Sequence, residues 1–211
     1  MGKIQQAPIP NGTSKAVRRT VSSLSRWLHI YLSMGSFFII FFFSVTGITL
    51  NHTEWFEDQQ KTTTVKGQVN VKWVNTPDTT KIARLELVEL LRNKHKITGA
   101  VSEFVTDDYQ CTISFNGPGY TADAFVNRED GSYSLTETRT GLFGIMNDLH
   151  KGRDSGKAWK WVIDISAVLM ILVSLTGLVM LFFLKKKRVS GVLVAIAGTI
   201  LILLIYWIWV P

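Results

Sequence analysis

WLHIYLSMGSFFIIFFFSVTGITL, residues 27–50, decides how the rest of the chain is read. It contains no Asp, Glu, Lys or Arg, and the charge-free gap runs from Arg26 to Glu54. A bilayer crossing needs about 20 mostly apolar residues, so this run predicts a transmembrane helix. Two similar runs follow near the other end of the chain. The second occupies 159–184, where Asp164 alone interrupts the apolar stretch from Trp161 to Leu184, and the third occupies 189–210 with no charge at all.

Composition agrees with three spans. The 211 residues are 46% hydrophobic with seven Trp, and the mean hydropathy is +0.18. Net charge is +7, but residues 1–26 carry five Lys/Arg and no acid, Lys185–Arg188 carry four more, and residues 53–158 balance 13 basic against 15 acidic groups. The excess sits beside the apolar runs, which is the positive-inside pattern and excludes a nucleic-acid face. With residues 1–26 and the 185–188 turn on the cytoplasmic side, residues 51–160 are expected outside. Trp27, Trp159, Trp161, Trp207 and Trp209 then fall near the interfaces. Arg18-Arg19 hints at a cleaved leader, but the run after it is too long for a signal-peptide core and ends without a small-x-small site, so a retained anchor is expected.

Between the first two spans, residues 51–140 read as an α+β domain. Ile82, Leu85, Val88 and Leu91 recur every third residue within Thr79–His95, after Pro77-Asp78 and before Gly99, which predicts one amphipathic helix. Alternating runs follow at about 100–106, 110–116, 120–127 and 133–138, separated by turn formers such as Asn116-Gly117-Pro118-Gly119. That spacing predicts an antiparallel meander with the helix on one face. Residues 141–158 form an interfacial segment, with Leu142, Met146, Leu149 and His150 on one helical face.

Cys111 is the single cysteine, so no internal disulfide, CxxC pair or covalent haem attachment can form. Candidate ligands are therefore histidines. His29 lies just inside the first run and His52 just past its other end, about 35 Å apart along a straight helix rising about 1.5 Å per residue. His150 approaches the same outer level as His52 from a different segment. Two neutral imidazoles from separate segments suit a non-covalent haem b, with His52 and His150 as axial ligands to the iron. The apolar runs supply no third or fourth ligand for zinc or copper. Lys151, Arg153 and Lys157 could pair with haem propionates or with lipid phosphates. A simple polar anchor at the interface is the alternative role for each of these histidines. His95, in the polar end of the soluble helix, is expected to be structural or solvated. Small residues punctuate the spans, among them Ser44, Gly47, Ser174 and Gly177, and fit either close helix packing or room for a flat macrocycle. Asp164 is read as lying in the first turn of its helix, close to Lys160.

The segments Arg26-Trp27-Leu28-His29, Val45-Thr46-Gly47-Ile48, Asp148-Leu149-His150-Lys151-Gly152 and Leu175-Thr176-Gly177-Leu178 resemble the PepSY-associated transmembrane helix family, and the 51–140 segment is similar to a PepSY domain. The resemblance implies a multi-pass protein of the bacterial inner membrane, with residues 51–160 periplasmic. Its larger relatives bind haem b through membrane histidines and reduce ferric siderophores. Carried over by position, His29, His52 and His150 are the candidate ligands. Those relatives have four or more spans, and a haem on His29 would draw its second ligand from another copy of the chain, another subunit or Met34.

The expectation is electron transfer, as a component of a haem-dependent ferric reductase: a quinol or reductase partner donates and a ferric chelate accepts. No Gly-rich dinucleotide fingerprint, Walker loop, nucleophile elbow or HExxH helix is present. The alternative is a membrane-anchored PepSY module that binds or regulates a partner through a sheet edge, without redox activity. A small transporter fits poorly, because three spans enclose little cavity.

Overall fold

The computed structural model describes residues 12–211, so residues 1–11 of the basic N-terminal segment lie outside the described residues. The elements are α1 (Gly12–Gly35), α2 (Phe37–Asn51), β1 (Lys61–Gln68), α3 (Arg84–His95), β2 (Ala100–Thr106), β3 (Gln110–Gly117), β4 (Tyr120–Asn127), β5 (Ser132–Arg139), α4 (Leu142–Lys151), α5 (Gly156–Phe183) and α6 (Arg188–Trp209). The chain divides into two compact units. One takes in the chain up to Ile40 and from Ile165 onward, and the other is Phe41–Asp164.

α5 and α6 are long and apolar enough to cross a membrane, and α1 with α2 makes a third candidate as a bent pair. No residue of α6 is buried, and Ile202 and Trp207 are among its exposed side chains. Apolar surface on that scale is stable only against lipid or another apolar partner. The first run is not the straight rod the sequence predicts. It breaks at Ser36 with a bend of 58°. The Ser36 hydroxyl donates to Leu32 O at 2.6 Å, a carbonyl that already accepts from Ser36 N at 2.8 Å. A Gly-Ser step with a side chain competing for the helix ladder is a recognised cause of such kinks. The helix also begins at Gly12, well before Trp27, so Lys15, Arg18, Arg19 and Arg26 ride on α1 itself.

The sheet is fully antiparallel, in the order β1-β5-β4-β3-β2. β3 and β4 are joined across Pro118-Gly119, where Gly119 takes φ +69°. Alternation works as expected: Cys111, Ile113 and Phe115 of β3, Ala122, Ala124 and Val126 of β4, and Leu135 of β5 are buried on one face. Leu87 and Leu91 of α3 complete this core with Val74, Ile82 and Ile97. Ile82, Val88 and Leu91 meet the core as the spacing of three suggests, but Leu87 takes the place expected of Leu85, which is 69% exposed. The cause is the start of the helix. Asp78 caps a short 3₁₀ turn over Thr79–Lys81, Ile82 is extended, and α3 begins only at Arg84.

β1 is a strand without a hydrophobic pattern. Its residues are almost all exposed, and it is held by pairing with β5 and by Thr62–Thr138 and Thr64–Thr136 hydroxyl contacts at 3.2 Å. Gly67 leaves room for the Tyr133 ring, which a Cβ there would strike. Arg128, 8% exposed, is satisfied wholly by main chain and donates to the carbonyls of Val74, Thr76 and Asp107. It ties two loops, 74–76 and the β2–β3 turn, to the end of β4 without a carboxylate partner.

Candidate functional site

α4 is fixed at several points before its histidine is considered. Its C-terminus closes on Gly152 in the left-handed conformation, φ +68°. Asp148 accepts from Gly119 N at 2.8 Å, which links the helix to the β3–β4 turn. Asn147, buried, accepts from the Thr49 hydroxyl at 2.6 Å and so ties α4 to α2. The Trp159 indole donates to Leu149 O at 2.8 Å. Leu142, by contrast, is 65% exposed, so the inward face begins at Phe143 and not where the sequence pattern placed it.

His150 is thereby laid against α2. Its Nδ1 lies 2.5 Å from Thr46 Oγ1, its ring meets the edge of Phe43 at 4.9 Å, and its Cε1 passes over Gly47. The Thr46 hydroxyl has one hydrogen and donates it to Phe42 O at 2.6 Å. It is left to accept, so donor accounting puts the proton of His150 on Nδ1. Burial, reinforced by the adjacent Lys151 charge, holds the imidazole below its ordinary pKa and favours the neutral form. Nε2 is left with a free lone pair.

The same device recurs in the other unit. His29 of α1 places Nδ1 3.1 Å from Val173 O and 3.2 Å from Thr176 Oγ1 of α5. The Thr176 hydroxyl has its one hydrogen within reach of two carbonyls of its own helix, Leu172 O at 2.8 Å and Val173 O at 2.9 Å. A carbonyl can only accept, so His29 also carries its proton on Nδ1. Gly177 lies under this ring, and a Cβ there would come 3.1 Å from His29 Cε1. Each Leu-His pair thus rests on a Ser-x-Thr-Gly segment: Leu28-His29 on 174–177 and Leu149-His150 on 44–47. The sequence offered both halves of this match but not their pairing, which joins residues more than a hundred positions apart.

His52 is held differently. Its Nδ1 lies 3.1 Å from a Glu54 carboxylate oxygen, and its ring stacks on Trp55 at 4.1 Å and 6°. It shares no partner with His150. Even so, its Nδ1 faces an acceptor and its Nε2 is unengaged, as in the other two. His95 is the contrast, because its Nε2 is spent on the Tyr133 hydroxyl at 2.7 Å. Burial first, then Lys94, lowers its pKa against an opposing pull from Glu137, so it is a structural and largely neutral group.

Asp164 also differs from expectation. α5 starts at Gly156, so Asp164 lies beyond two turns into the helix and outside the favourable N-terminal turn. It forms no ion pair with Lys160. Among the described residues there is no cluster of three or more His, Cys, Asp or Glu suited to a bare metal ion. Alongside α4 runs a cleft of about 420 Å³, lined by Asn147, Asp148, Lys151 and Arg153 with Phe56 and Glu57.

A family model described as putative PepSY_TM-like matches residues 23–211. No curated protein and no solved structure matches the chain.

Proposed function

Because the chain belongs to the putative PepSY_TM-like family, we propose that it is a haem b electron-transfer protein of the bacterial inner membrane. In this reading three spans carry an inserted extracytoplasmic domain, the N-terminus is cytoplasmic, and residues 51–160 are periplasmic. One observation supports the haem reading above the others. The three histidines singled out by sequence all spend Nδ1 on an acceptor and leave Nε2 unengaged, whereas His95 does the reverse. Metal-ligating histidines characteristically anchor one ring nitrogen on a carboxylate, carbonyl or hydroxyl, which fixes the tautomer and raises the basicity of the other.

The donor types suit haem iron: His150 and His52 would hold it, and a haem on His29 would draw its second ligand from another chain or from Met34. A bound haem b supplies one-electron chemistry between a quinol or reductase donor and a ferric chelate acceptor. The chain's own residues orient and shield. Thr46 fixes the His150 tautomer, Phe43 packs one edge of its ring, and the buried Thr49–Asn147 pair keeps α4 against α2. Lys151 and Arg153, at the rim of the cleft beside α4, offer cations to propionates or to an anionic chelate. The test is a reduced-minus-oxidised spectrum of the protein purified in detergent from haem-replete cells. Haem b bands that are lost in His150→Ala and His52→Ala support the reading, and a spectrum without haem contradicts it.

A second reading rests on the sheet. β2 is an edge strand that exposes Val101 and Val105 and is open to strand addition by a partner. An anchored docking module of this kind predicts partner binding unaffected by His52→Ala or His150→Ala.

A further inference from the structure

The unit made by the chain up to Ile40 and from Ile165 onward contains no Asp or Glu at any position, yet carries Lys3, Lys15, Arg18, Arg19, Arg26 and the four cations of Lys185–Arg188. All 16 acidic residues of the protein lie in Phe41–Asp164. This unit cannot neutralise itself from within, and among the described residues none of its cations forms an ion pair. Its counter-charge must come from outside.

The cations are also gathered. A groove of about 590 Å³ between α1 and the end of α5 is lined by Arg18, Arg19, Arg26 and Lys185, with the Ser22 hydroxyl among them and the Phe183 ring beside them. Arg19, Ser22 and Arg26 follow one another at i, i+3 and i+7 on one helical face. Around α1, an adjoining hollow shares Lys15, Arg19 and Ser23 with this groove and reaches Leu24 and Trp27 on the neighbouring face, both more than half exposed. Clustered guanidinium and hydroxyl donors on one side of the helix thus adjoin apolar surface on the next. A free phosphate or nucleotide would use only the first part of that surface. A phospholipid uses both.

We propose that this groove is a binding site for an anionic phospholipid, whose headgroup phosphate is held by Arg19, Arg26 and Lys185 and whose acyl chain lies along Leu24 and Trp27. Each cation near such a headgroup contributes roughly a fivefold factor in affinity. The site is independent of the haem reading.

The test uses the full chain, reconstituted in nanodiscs of phosphatidylcholine with one fifth phosphatidylglycerol, and counts by native mass spectrometry the lipids retained after release into detergent. Wild type is expected to retain phosphatidylglycerol over phosphatidylcholine. The Arg19→Gln, Arg26→Gln double variant is expected to lose that retention by about tenfold or more, and the Lys186→Gln, Lys187→Gln variant, which removes the same charge outside the groove, is expected to keep it. Arg19→Lys, Arg26→Lys restores most of the retention if charge at these positions is what is read, and so separates binding from misfolding. Equal losses in both Gln variants would overturn the site in favour of a diffuse field. Equal retention of the two lipids, or full displacement by inorganic phosphate at matched concentration, would overturn the lipid as ligand.

Discussion

His29 and His150 sit in the same kind of clamp in two different surroundings. Both point Nδ1 at a threonine that follows a serine by two positions and precedes a glycine, and in both the threonine hydroxyl is already donating to its own helix. The difference lies in the supports. His150 depends on Thr46 alone for its hydrogen bond but rides on a helix braced by Asn147, Asp148 and Trp159. His29 has a main-chain carbonyl as well as a hydroxyl, and a glycine pressed closely beneath it. One clamp is fixed through its helix, the other through its ring. The functional nitrogen is the same in each.

The largest expected effect separates the two by ligand loss. His150→Ala abolishes the haem b signal at its site, while His29→Ala leaves that signal in place, as read by haem stoichiometry and spectrum on purified protein. Equal loss in both would break the distinction. Next in size, Thr46→Val weakens haem retention roughly tenfold to a hundredfold, the usual cost of removing a group that orients a ligating histidine. Thr176→Val does less at His29, because the Val173 carbonyl remains to accept the Nδ1 proton. Haem titration of the two variants measures the gap.

The glycines sharpen the comparison further. A Cβ at 177 would press on His29 at 3.1 Å, whereas one at 47 would meet His150 at 4.0 Å, an ordinary contact. Gly177→Ala should therefore disturb its histidine and Gly47→Ala should be tolerated, as seen by the ring resonances of each.

The smallest effect is pH dependence at His95, a histidine outside both clamps. Its folded pKa is held below the ordinary 6.5, mainly by burial. The unfolded chain therefore takes up a proton near pH 6.5 that the folded chain resists. The associated stability is fully present above that pH and is lost as pH falls toward the depressed folded value. Thermal unfolding in detergent between about pH 5 and 7.5 should show the decline, and His95→Leu should flatten it.

Much of the architecture is legible in the sequence because its physics is local. Long apolar runs announce α5 and α6, and period-two burial with Gly-rich turns announces β2 to β5. β1 escapes because KTTTVKGQ buries almost nothing, and only its partner strand makes it a strand. The break at Ser36 escapes because a serine in an apolar run reads as a small packing residue until its hydroxyl is seen on Leu32 O. At the candidate site, the residue types are legible and their partners are not. Gly47 and Gly177 read as small residues that favour close packing, and only the fold shows that what packs on them is imidazole.

The central claim is that His29 and His150 carry a proton on Nδ1, spent on an acceptor, and keep Nε2 open for iron. Selective ¹⁵N labelling of histidine, with NMR of the haem-free protein in lipid at pH 7.5, tests it directly, using His29→Gln and His150→Gln for assignment. The account predicts that both rings show a protonated Nδ1 and a bare Nε2, the tautomer that free histidine disfavours in water, while His95 does not join them as an open Nε2. A protonated Nε2 on His150 would contradict it.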